Sequence, residues 1–94
     1  KVRQIFAALE NRAYLGSLVE SVAQAGTIQI FIGHENSPLE MQDVSLVLAP
    51  YGLVGRAVGV VGVLGPTRMP YSQAIASVEF VSGLMNELVE HLYA

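Results

Sequence analysis

Residues 44–65 read VSLVLAPYGLVGRAVGVVGVLG, and this stretch decides the fold. Two apolar runs, VSLVLAPY and RAVGVVGVLG, are separated only by a YGLVG turn. A parallel crossover needs a dozen or more residues, so strands this close in sequence are expected to pair antiparallel. In the first run Val44, Leu46 and Leu48 share one face, and Pro50, with no N–H for a ladder, is expected to limit the strand. The second run is apolar almost throughout, as in a strand covered on both faces. Gly59 and Gly62 within it mark close packing or a bulge.

Upstream, TIQIFIG (residues 27–33) alternates Ile28, Ile30 and Ile32 with Thr27, Gln29 and Phe31, the period-two pattern of a half-buried strand. The polar segment GHENSPLEMQD (33–43) joins it to the next strand as a loop. Before it, Val2, Ile5, Phe6 and Leu9 recur at helical spacing, and so do Leu15, Leu18, Val19, Val22 and Ala25. Asn11 and Gly16 weaken the region between, which predicts two helices or one bent helix, and Gly26 is placed to end the second. Downstream, Ile75, Val78, Val81, Leu84, Met85, Leu88, Val89 and Leu92 form one wide stripe of a long amphipathic helix. Pro70 suits its first turn. Phe80 falls off the stripe near Ala76 and Leu84, which hints at a second contact surface. The order is helices, three strands, helix: an α/β (α+β) domain with a small antiparallel sheet flanked by helices.

The 94 residues fit one domain. Charged residues are 14% of the chain, against about 25% in typical soluble domains. With 52% hydrophobic residues, the chain is expected to present apolar surface to a partner. The net charge is −3, and Lys1, Arg3, Arg12, Arg56 and Arg68 are scattered, which argues against nucleic-acid binding by this piece itself. The absence of cysteine excludes disulfides and thiolate chemistry. No apolar run approaches the ~20 residues of a membrane span, so no membrane partner is expected. The first residue is Lys and no signal-peptide pattern follows, which suggests a processed chain or an excised fragment.

Motifs that carry chemistry are sparse. His34 and His91 lack the convergent spacing of a zinc site. Glu35, Glu40 and Asp43 cluster in the loop, where carboxylates are usually solvated. Ser45 stands on an apolar strand without a base partner or a GxSxG context. The glycines of RAVGVVGVLG match neither GxGxxG nor a phosphate-binding P-loop. What remains is GPTRMPYS (65–72). Arg68 there would be either an anion site beside a helix N-terminus or part of a structural corner, where Gly65-Pro66 turns the chain and Arg68 pairs with a loop acid or caps carbonyls. Glu35, Asn36, Arg68 and Tyr71 are the candidate residues of this corner. No cofactor is expected.

Two segments also resemble a known family. GVVGVLGPTRMPYSQAIASVEFVSGLMNELVE (59–90) resembles the C-terminal end of the HrcA heat-inducible transcription repressors of bacteria: a Gly- and Val-rich strand, then GPTRM, a Tyr and a long amphipathic helix. IFIGHENSPLEMQDVSLVLAPY (30–51) is similar to the family's Ile-Gly-x-Glu-Asn strand end and the Ser-Leu-Val strand after it. Pro70 departs from the family, where Asp is expected and would cap the helix through its carboxylate. The resemblance implies a bacterial, cytoplasmic, homodimeric repressor that binds an inverted-repeat operator (CIRCE) upstream of chaperone genes through an N-terminal winged-helix domain. It implies modulation by the GroEL chaperonin, and it makes residues 1–94 the C-terminal portion of a GAF-like regulatory domain, without the winged-helix and inserted dimerising domains. The alternative is a small-molecule-sensing or catalytic α/β domain with an anion pocket near Arg68.

Overall fold

The computed structural model describes residues 2–36, 38–53 and 55–93, and the side chains of Val2, Gln4 and Glu40 lie outside that description, as does Lys1. Among the described residues the order is α1 (Val2–Glu10), α2 (Arg12–Ala25), β1 (Gln29–Phe31), β2 (Val44–Leu53), β3 (Arg56–Pro66) and α3 (Tyr71–Tyr93). Single 3₁₀ turns at Gly33–Glu35 and Leu39–Met41 punctuate the loop between β1 and β2.

The first helical region is two helices, broken at Asn11. Its side chain leaves the helical path to accept the Tyr14 N–H at 3.2 Å and caps α2. Gly16 lies within α2 and breaks nothing. Gly26 ends α2 in the left-handed conformation (φ 74°), donating its N–H to Val22 O, as its place in the sequence predicts.

The sheet is antiparallel in the order β1-β2-β3, with β2 at its centre. Six consecutive β2 residues, 44–49, are buried because helices cover both faces. On one face Val44, Leu46 and Leu48 join Ala8, Leu18, Val22 and Met41, with Phe31, Val60 and Leu64 packed against them. On the other, Val47 and Ala49 meet Met69, Ala74 and Val78, with Val61, Val63 and Ile75 alongside. Each face excludes water from apolar area worth about 25 cal/mol per Å², so β2 is the element that both layers hold.

Three expectations are corrected. Pro50 does not limit β2, which continues to Leu53. The Thr67 N–H donates to Asp43 O at 3.3 Å, so the register alternates such that Val44↔Pro66 and Pro50↔Val60 are non-hydrogen-bonded pairs. The missing N–H of Pro50 therefore points toward β1, whose pairing has already ended opposite Leu48. In β1, Ile30 is 41% exposed while Phe31 packs into the α1/α2 layer. Ile30 shares the face of its partner Val47, but α3 lies over β2 and β3 and leaves that edge bare. Finally, the α3 stripe divides. Ala74, Val78 and Val89 are buried, whereas Val81, Leu84, Leu88 and Leu92 are exposed together with Phe80.

The close packing predicted at Gly62 is present. A Cβ there would strike the Leu48 side chain and lie 2.7 Å from Val47 O. β3 is contacted on both faces only in its second half, for its residues 56–58 are exposed.

Candidate functional site

The buried polar groups gather at one end of β2. Ser45 is fully buried and Asn36 is 3% exposed, and buried polar atoms persist only with hydrogen-bond partners. The Gly33 N–H donates to Ser45 Oγ at 2.8 Å, and Ser45 Oγ lies 2.9 Å from the Tyr71 hydroxyl. The Tyr71 hydroxyl also contacts Thr67 O, which can only accept. Tyr71 therefore spends its one proton on Thr67 O and receives that of Ser45. The result is a directed chain, Gly33 N–H to Ser45 O–H to Tyr71 O–H to Thr67 C=O, in which each hydroxyl donates once and accepts once. Such chains polarise one another in a low-dielectric interior.

Asn36 ties the neighbouring loop to the same place. Its Nδ2 donates to Met41 O (3.0 Å) and Val44 O (3.2 Å), and its Oδ1 accepts the Tyr14 hydroxyl at 2.8 Å. Its backbone N–H bonds Gly33 O at 3.0 Å, and its carbonyl accepts Gln42 Nε2 at 3.4 Å. One side chain thus closes the loop on itself, fastens it to β2 and pins it to α2. Gly33 is required by this crowding: a Cβ there would fall on Thr67 Oγ1 and 2.5 Å from Gln42 O. Thr67 Oγ1, fitted into the space that Gly33 leaves, is buried and has no hydrogen-bond partner among the described residues.

Of the four candidate corner residues, the structure brings Asn36 and Tyr71 into one polar seam by way of Gly33 and Ser45. It leaves out Glu35 and Arg68. Both are exposed, and neither side chain makes a hydrogen bond or ion pair among the described residues. Among the described residues Arg68 thus pairs with no loop acid and caps no carbonyl; the side chain of the loop acid Glu40 lies outside them. The Arg68 backbone nevertheless sits in the corner between β3 and α3: the Met69 N–H closes a turn on Pro66 O at 3.0 Å, with Thr67 and Arg68 as the central residues. Pro70 stands just before the helix rather than in it, its carbonyl accepting the Ala74 N–H at 3.0 Å. Sequence reasoning missed Tyr14, Gly33, Ser45 and Thr67 as members of the seam. A lone serine in an apolar strand buried on both faces was the available signal, because a hydroxyl there must have a partner.

Among the described residues the Ser45 hydroxyl bonds the Gly33 N–H and the Tyr71 hydroxyl and no base, for His34 is exposed and His91 is exposed near the far end of α3; the seam is a clamp. Among the described residues no three His, Cys, Asp or Glu side chains are placed to hold a metal. At the opposite end of β2 lies an open cleft of about 420 Å³, lined by Gln24, Tyr51, Gly52, Arg56, Asn86 and Glu90 among others. There Asn86 Oδ1 accepts the Gly52 N–H at 2.7 Å, which fixes α3 to the end of β2. No helix is long and apolar enough to cross a membrane among the described residues.

Apart from Tyr14 of α2, the seam is assembled from the two motifs singled out in the sequence: Gly33, Asn36 and Ser45 from IGHEN and SLV, Thr67 and Tyr71 from GPTRMPY. Residues 1–75 match the family model described as the HrcA protein C terminal domain. The heat-inducible transcription repressor HrcA of Herpetosiphon aurantiacus is 41% identical over 93 residues, covering 99% of this chain and 26% of that protein. The namesakes in Roseiflexus castenholzii (42%, covering 99% and 26%) and Dehalococcoides mccartyi (37%, covering 99% and 27%) are similar over the same span. The chain spans about a quarter of the length of the curated relatives it matches. No solved structure matches it significantly.

Proposed function

The chain belongs to the HrcA family, and from that premise we propose that it is a regulatory and structural module of a heat-inducible transcription repressor. The observation that carries the reading is the match to curated repressors over 99% of the chain. In this reading the module performs no catalysis. Its work is to hold a fixed relation between elements that lie outside it, so that the DNA-reading parts of the whole protein are correctly spaced. Stress then acts by shifting the population of the competent arrangement.

Residues 1–94 are read as the C-terminal portion of a GAF-like domain, completed by parts of the protein outside them. Two features support this. The outer edge of β3 is unpaired among the described residues, and the register aims the backbone groups of Val60, Gly62 and Leu64 outward, a row that native proteins normally cover. Large apolar side chains also remain exposed on α1 and α3, with Phe6 at 62% and Phe80 at 69%. The scattered basic residues agree with operator reading by a separate winged-helix domain. A homodimer on an inverted-repeat operator, cytoplasmic and modulated by the GroEL chaperonin, completes the proposal. The rival anion-sensing reading has no observation in its favour, since among the described residues the exposed Arg68 side chain makes no hydrogen bond or ion pair. In a gel-shift assay the full-length protein should retard an inverted-repeat operator fragment and leave a scrambled one free. Equal retardation of both, or of neither, refutes the proposal.

A further inference from the structure

We propose that the outward face of α3 docks a second amphipathic helix, with basic residues on one border, supplied by the part of the polypeptide outside these 94 residues. The inference rests on the reading that this chain is a piece of a longer repressor.

At 100° per residue, the buried Ala74, Val78 and Val89 fall on one side of α3, to which the exposed Leu92 returns, and Val81, Leu88, Leu84 and Phe80 follow one another away from it onto the adjoining side. Together they form one apolar arc of about 180°, with Ser72, Glu79 and Glu90 on the polar side opposite. A helix that is apolar on two sides is made to be covered on two, and the sheet covers just one. Phe80, Leu84, Leu88 and Leu92 follow one another at steps of four. They form a continuous ridge of about 18 Å, three helical turns, of the kind that packs into the groove of a neighbouring helix. Beside this ridge lies a shallow groove of about 350 Å³, lined by Leu84, Glu87, Leu88 and His91.

Charge selects the occupant. The charged residues of α3 besides His91 are Glu79, Glu87 and Glu90, with no Lys or Arg. A second copy packed antiparallel on the ridge would bring the Glu87 border of one helix against the Glu87 border of the other, and like charges in contact are destabilising. A helix with Lys or Arg along that border meets both the apolar ridge and the acidic edge. Such a helix has room to come from the same polypeptide, since the curated relatives are about four times as long as this chain.

The chain contains no cysteine, so a single one reports directly on coverage. Leu84→Cys, and Leu88→Cys in case the first disturbs folding, would be labelled with a maleimide in the 94-residue chain and in the otherwise cysteine-free full-length protein. Labelling should be at least tenfold slower in the full-length protein, and the ratio should hold over a hundredfold dilution. Ser72→Cys, on the polar side, should react alike in both. Glu87→Lys in the full-length protein should speed labelling at position 84 at least threefold. Equal rates in the two proteins overturn the proposal. Protection that disappears on dilution overturns it in favour of a second copy, and an unchanged rate with Glu87→Lys overturns the basic border. Operator binding is measured on the same samples. A protein that binds operator with a freely labelled α3 refutes docking alone, and one that is protected but ignores operator refutes the repressor reading alone.

Discussion

Asn36 gives the sharpest test of the polar seam. Replacing it by alanine removes two donations, to Met41 O and Val44 O, and one acceptance, from Tyr14. The residue is 3% exposed, so the two carbonyls lose partners where water does not replace them. Each made hydrogen bond contributes about 1 kcal/mol net, and a buried acceptor left empty costs about 1–3 kcal/mol. The half-buried Tyr14 hydroxyl can turn to solvent, which lowers its share. We expect Asn36→Ala to cost about 3 kcal/mol, out of a total near 5–14 kcal/mol for a chain of this length. That corresponds to a fall in Tm of roughly 12–24 °C. Asn36→Asp keeps the shape but sets an acceptor against two carbonyls, so it should cost at least as much. Urea denaturation followed by far-ultraviolet circular dichroism would measure both, with the slope m held constant as the sign of an unchanged denatured state. Tyr14→Phe, which deletes a single bond, should cost about 1 kcal/mol and serves if the first variants do not fold. A loss below about 1 kcal/mol for both Asn36 variants would show a solvated loop residue and refute the reasoning.

Three further outcomes follow from the same geometry. Ser45→Ala and Tyr71→Phe should each cost about 1–2 kcal/mol, and the double variant less than their sum, because either change breaks one hydroxyl chain; strict additivity in a double-mutant cycle would show that the two groups act separately. Gly62→Ala should cost about 1–3 kcal/mol by forcing its methyl against Leu48 and Val47 O, and a thermal midpoint within 2–3 °C of the parent would deny the close approach. Arg68→Ala should lie within about 0.5 kcal/mol of the parent, since the side chain is exposed and unpaired among the described residues; a larger loss would restore it as a member of the corner.

The sequence by itself determined the elements. Period-two patterning marked two strands, a continuous apolar run the third and period-3.6 patterning the helices around them, and the short connection between β2 and β3 imposed antiparallel pairing, because these signals act between neighbours along the chain. The glycine that ends α2 was legible for the same reason, whereas the sequence left open two helices or one bent helix around Asn11 and Gly16, and the structure placed the break at Asn11. The tertiary structure alone decided which candidate groups meet. Arg68 and Tyr71 are three residues apart, yet only Tyr71 turns inward, because Ser45, 26 residues earlier, offers it a buried hydroxyl. Pro50 reads as a stop until one sees that β1 has already ended beside it. The long apolar stripe of α3 looked single because hydrophobicity records that a side chain avoids water, not which surface relieves it. Half of that stripe rests on the sheet and half faces outward, and only the packing of layers distinguishes the two.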